Sequence, residues 1–203
     1  MNGPHARPRA LLLDVMGTLV HDPFYVEVPA FFGMTLAQLV EAKHPKTWVR
    51  FEEGAVGEAW ALANFFADAR PFDHAGLERS MRAAYRWLEG MEELLADLVA
   101  RGVALHALSN YSPWYRWIEE ELGLSRYIAW SFVSCDTGLR KPAREAFLGA
   151  TRALGIAPGA CLLVDDRAEN CRAAREVGMA AVEFAGAAAL RAELARRGLV
   201  GCG

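Results

Sequence analysis

Four cysteines in 203 residues, Cys135, Cys161, Cys171 and Cys202, form no CxxC pair, and no histidine stands near them at zinc-ligand spacing. Neither a thiolate metal site nor a disulfide framework is therefore expected. Cys161 opens an apolar run and reads as a small core residue. Excess positive charge is also missing. Lys and Arg number 22 against 25 Asp and Glu, a formal net charge of −3, and the arginines are scattered. A nucleic-acid partner needs a basic field, so none is expected. The first residues, MNGPHARPRA, lack the apolar stretch of about 7 to 15 residues that marks a secretory signal. No apolar run approaches the roughly 18 residues of a membrane span. These absences predict a cytoplasmic protein with no membrane partner. Internal repeats and low-complexity tracts are absent too. What is there, 53% hydrophobic and 23% charged residues, is enough for one well-cored α/β domain with some chain to spare for an insertion.

Short apolar runs alternate with stretches of helical period. ALLLDV, VALHAL, SFVSC, CLLVDD and AAVEF read as strands buried on both faces. MEELLADLVARG, AREAFLGATRALG and AENCRAAREVG carry apolar residues three and four apart and end in a glycine able to cap. Such a succession predicts a Rossmann-like parallel sheet with helices on both faces. The alternation breaks after the first strand, where several short, aromatic-rich helices read without a strand between them. A structureless loop of that length is implausible, so residues 20–89 are expected to form a small all-α cap. The core is then 1–19 together with 90–203. A cap inserted there would lie over the strand ends, where α/β sheets bind ligands. His5, His44 and His74 read as surface or turn residues, and His106 as an incidental strand histidine.

Four strand ends stop at residues able to do chemistry: Asp14, Ser109-Asn110, Lys141 in GLRKP, and Asp165-Asp166. In a parallel sheet these converge on one edge. Three carboxylates in one pocket repel and need compensation, which a divalent cation and Lys141 would supply. Carboxylate ligands without thiol or imidazole suit Mg²⁺ and a substrate phosphate. The set reads as phosphoryl transfer, with Asp14 as nucleophile, Lys141 neutralising phosphate oxygens and Ser109 donating a hydrogen bond to them.

LLLDVMGTLV, HALSN, GLRKP and LLVDDRAENCRAAREVGM resemble, in order and spacing, the four motifs of the haloacid dehalogenase superfamily. FEEGAVGEAW resembles the cap segment of its phosphatase-like subgroup. The resemblance implies that Asp14 forms an aspartyl-phosphate. It implies that Asp14, the Met16 backbone carbonyl and Asp165 hold Mg²⁺, with Asp166 in or behind that shell. Thr18 would steady the first loop, and Asn170 the fourth. Thr18 and Asn110 are placed on the substrate side, and Glu53 and Trp60 of the cap are the expected specificity residues, beside Gly54 and Gly57. Tyr25 and Phe24 would line the entrance, while most cap aromatics fill its own core.

One motif residue is missing. Phosphatases of this superfamily usually carry, two residues beyond the nucleophile, an aspartate that protonates the leaving oxygen and later activates water; here Met16 stands in its place. A general acid or base contributes about 10² to 10⁴ in rate, so poor leaving groups should suffer most. Three readings follow. The first is a Mg²⁺-dependent phosphohydrolase of a small metabolite, using a good leaving group, a substrate-borne acid, or a side chain lent by the cap or by His21 or Asp22. The second is a carbon–halogen or carbon–phosphorus hydrolase, for which Lys43 and Lys46 are the only cap lysines. The third is a ligand- or partner-binding protein on a catalytic scaffold. A monomer or homodimer is expected in each case.

Overall fold

The computed structural model describes residues 7–201, so His5 and Cys202 lie outside the described residues. Ala10–Leu13 (β1), Ala104–Ser109 (β2), Ala129–Val133 (β3), Cys161–Asp165 (β4) and Ala180–Glu183 (β5) form one sheet in the order β3-β2-β1-β4-β5. Every pairing is parallel; Leu13 lies opposite Ala107 on one side and Val164 on the other. The apolar run of β1 is buried along its whole length because it is central and covered on both faces. Its side chains divide with the two-residue period: Leu11 and Leu13 join one hydrophobic cluster, Leu12 the other.

The helices are Glu27–Phe31 (α1), Leu36–Ala42 (α2), Thr47–Glu52 (α3), Glu58–Ala63 (α4), His74–Ala84 (α5), Met91–Ala100 (α6), Tyr115–Leu122 (α7), Ser134–Thr137 (α8), Arg144–Leu154 (α9), Ala168–Glu176 (α10) and Ala187–Arg196 (α11). Leu94, Leu95 and Leu98 of α6, Ile118 of α7, and Leu190 and Leu194 of α11 pack on the Leu11 face. Phe147 and Ala150 of α9 and Ala174 of α10 pack on the Leu12 face. The sheet is thus sandwiched between helices, as the alternating runs predict.

Between β1 and β2 the first five helices and a short 3-10 turn at Pro23–Tyr25 contribute no named strand to the sheet. Phe32, Phe65, Phe66 and Phe72 pack on one another at 4.9–5.8 Å between ring centroids. Their burial holds short helices that could not stand alone. The segment docks on the core at α3. The turn after it carries Gly54 at φ +67°, where an added Cβ would meet the Cys135 carbonyl oxygen at 2.3 Å. Arg140 donates to Glu52 at 2.6 Å, and the Ser134 hydroxyl donates to the Glu52 carbonyl. Cys135, Cys161 and Cys171 are free thiols, with Cys161 fully buried, as its place in an apolar run suggests. No helix among the described residues is long and apolar enough to cross a membrane.

Candidate active site

The strand order reverses at β1, between β2 on one side and β4 on the other, and the crevice beyond the strand ends there is the usual ligand position of such sheets. Asp14 directly follows β1, Ser109 ends β2 and Asp165 ends β4. Lys141 arrives from the loop between α8 and α9. Asn110 fixes it there, donating from Nδ2 to the Lys141 carbonyl at 2.7 Å and accepting the Lys141 N–H at Oδ1 at 2.8 Å. The Lys141 ammonium, completely enclosed, donates to Asp14 Oδ1 at 2.8 Å and to Asp165 Oδ2 at 2.6 Å.

One buried cation thus bridges two buried carboxylates. Asp165 also accepts from the Arg167 N–H at 2.9 Å and from Asn170 Nδ2 at 2.9 and 3.1 Å, so its position is heavily determined. Asp166 stands at the rim, and Asp14, Asp165 and Asp166 each offer an oxygen within 4.8 Å of the others. Gly17, at φ +76°, permits this approach: a Cβ there would lie 2.7 Å from Asp166 Oδ2. Burial pushes the Asp14 carboxyl up to about 6 against the pull of Lys141, and Asp165 adds to the rise. Burial alone would lower the Lys141 ammonium, but Asp14 and Asp165 hold it above its ordinary value. Asp166 is raised by desolvation and then by Asp165. Burial first, and the neighbouring carboxylates after it, disfavour the charged forms of Asp14 and Asp166, and a hard divalent cation fits this all-oxygen donor set. Among the described residues the buried Ser109 hydroxyl has no hydrogen-bond partner, which suits an incoming anionic oxygen.

Asp14, Asn110, Lys141, Asp166 and Asn170 open on a cavity of about 280 Å³ between the sheet edge and the helices of 20–89, while Asp165 and Ser109 lie buried behind that wall. Met16 contributes an apolar wall. Phe24 and Tyr25 line the cavity, as their position after the first loop suggests, and Tyr25 accepts from Arg167 at 3.2 Å. The four residues expected on the substrate side need correction. Trp60 is 38% exposed beneath Arg50, and Glu53 is also off the cavity wall; the wall is built by Trp48 and Glu52 instead. A helix turns about 100° per residue, so a one-residue error in phase is enough to exchange Glu53 for Glu52. Thr18 is wholly buried, facing Asp14 Oδ2 at 3.5 Å, and so steadies the loop but does not face a ligand. Asn110 lines the cavity, yet both ends of its amide are engaged by Lys141.

Sequence reasoning passes over Tyr111, Trp114, Arg140 and Arg167, all on the wall. Their adjacency to SN, RKP and DD was the available signal. Trp48 packs edge-on against Trp114 at 5.5 Å and Tyr111 at 6.5 Å, joining the two sides of the cavity.

The family model for haloacid dehalogenase-like hydrolases matches residues 8–178, and the chain belongs to that family. It is 47% identical over 189 residues to flavin mononucleotide hydrolase 1 of Arabidopsis thaliana, a chloroplast protein, covering 93% of this chain and 77% of that one. It is 26% identical over 177 residues to a sesquiterpene phosphatase of Aspergillus oryzae, covering 83% and 87%. Among solved structures, a family enzyme of Bacteroides thetaiotaomicron in complex with magnesium and inorganic phosphate superposes with a TM-score of 0.74 at 18% identity, covering 88% and 95%. The chain is a haloacid dehalogenase-type hydrolase, and family members of the same fold are solved with magnesium.

The Arabidopsis relative overturns the expectation of a cytoplasmic location, which is withdrawn. Net charge and the lack of a spanning run suit a folded domain in a plastid equally well, so composition could not separate the compartments.

Proposed function

We propose that the protein is a Mg²⁺-dependent phosphohydrolase of a small phosphorylated metabolite. The observation that carries this reading is the Lys141 ammonium bridging Asp14 and Asp165, with Asp166 alongside. Asp14 is the nucleophile, Thr18 and Lys141 hold its two oxygens, and the free Ser109 hydroxyl donates to the transferring group. Asp14, the Met16 carbonyl, Asp165 and Asp166 would hold the metal, which when bound neutralises charge on the phosphoryl oxygens. Residues 20–89 act as the cap that excludes water and selects the substrate.

The relative's activity suggests flavin mononucleotide as the first substrate to test. Trp48, Trp114, Phe24 and Tyr25 on the cavity wall suit a planar aromatic group. The test is phosphate release from flavin mononucleotide and from p-nitrophenyl phosphate, with Mg²⁺ and with excess chelator, by wild type and Asp14→Asn. Turnover should require the metal and fall by more than about 10³-fold in Asp14→Asn, because no nucleophile remains. Chelator-resistant phosphate release would overturn the metal assignment. Equal rates for the two proteins would overturn the nucleophile.

A further inference from the structure

Flavin mononucleotide is an alkyl phosphate, and its leaving oxygen needs a proton that the Met16 thioether cannot give. On the phosphohydrolase reading, the donor must therefore stand elsewhere on the cavity wall. Asp14 and Asp166 belong to the nucleophile and cation cluster. The Glu52 carboxylate is held by Arg140 at 2.6 Å. The Tyr111 hydroxyl pairs with Tyr85 at 2.9 Å, and burial pushes it well above the ordinary phenol range. Glu169 is exposed on the first turn of α10. Lys43 lies on the cap side, where it also lines a side pocket with His44 and Thr47. His21 is off this wall, its Nε2 2.9 Å from both oxygens of Glu27.

Asp22 remains. The chain doubles back after Met16: the Gly17 N–H donates to the Val20 carbonyl at 2.8 Å, and Met16 and Val20 form an isolated bridge. This return brings Asp22 onto the same cavity wall as Met16 and Asp14. Asp22 Oδ1 accepts the Phe24 N–H at 2.9 Å, which caps the Pro23–Tyr25 turn and orients the side chain. Among the described residues no protein donor reaches its other oxygen.

We propose that Asp22 is the proton donor that replaces the missing acid at position 16, and the base of the second half-reaction. As Asp14 attacks phosphorus, the bond to the leaving oxygen breaks, the electron pair stays on that oxygen, and the Asp22 proton joins it. The Asp22 carboxylate then takes a proton from the water whose oxygen attacks the aspartyl-phosphate. Phosphate leaves, and the Asp14 carboxylate and the Asp22 acid are restored. Burial favours the protonated form of Asp22, against the Phe24 N–H, Arg167 and His21 and together with Asp166.

The test compares wild type, Asp22→Asn, Met16→Asp and the double variant on flavin mononucleotide and p-nitrophenyl phosphate with Mg²⁺. Asparagine keeps an acceptor for the Phe24 N–H, so the turn stays capped. Asp22→Asn should lose about 10² to 10⁴ in kcat on the alkyl ester and less than about 10-fold on the aryl ester. Adding Met16→Asp to Asp22→Asn should recover at least about 10-fold on the alkyl ester. Equal losses on both esters, no loss, no recovery, or a wild type active only on the aryl ester would each overturn Asp22 as the donor while the phosphohydrolase reading stands. A wild type silent on both esters would overturn that reading, and this one with it.

Discussion

The sheet edge and the helices of 20–89 face the same cavity, but they build their faces differently. At the sheet edge, Asp14, Ser109 and Asp165 hold their places because parallel strands in register end side by side. On the other side, Trp48 and Glu52 come from a six-residue helix whose orientation depends on its docking to Arg140, Ser134 and Cys135. The first arrangement is determined by backbone pairing, the second by side-chain packing across an interface. The chemistry should accordingly tolerate little change, while substrate selection can vary with the interface.

The largest effect should come from Lys141→Met. It leaves the Asp14 and Asp165 carboxylates buried without their cation, a loss of about 3–5 kcal/mol by urea unfolding, with activity gone. Added Mg²⁺ should restore part of that stability if the carboxylates hold the ion; no response would break the parallel drawn between ammonium and metal. Gly54→Ala should cost less, about 1–3 kcal/mol, because φ +67° and the Cys135 carbonyl oxygen both oppose a side chain. It should raise KM more than it lowers kcat, since it disturbs the docked face and leaves the sheet edge alone. A fall in kcat at unchanged KM would mean that the two faces are not separable. The smallest pair sharpens the contrast within the helical segment itself. Trp48→Ala should raise KM for flavin mononucleotide about 10-fold through the loss of an aromatic wall, while Trp60→Ala should change it by less than about 2-fold. Equal effects would put Trp60 back at the site.

Much of the site was legible in the sequence because its spacing is local. A strand of apolar residues followed at once by Asp14 or by Asp165-Asp166 can deliver its carboxylate in one direction only, and the glycine at 17 announces the turn. Thr18 was expected to steady the first loop and also to stand on the substrate side, as was Asn110; the structure gives both residues roles inside the protein. Thr18 packs under Asp14, and Asn110 clamps the backbone of Lys141, 31 residues away. Nothing in the local pattern carries information over that separation.

The sequence alone determined the strands, their parallel pairing and the polar groups at their ends, because apolar runs buried on both faces and separated by helices pair in parallel. Only the tertiary structure decided which aromatic and acidic residues of 20–89 line the cavity, that Asn110 clamps Lys141, and that the chain folds back to put Asp22 on the same cavity wall as Met16. Those outcomes depend on the phase of short helices and on contacts between distant segments, and both are set by packing.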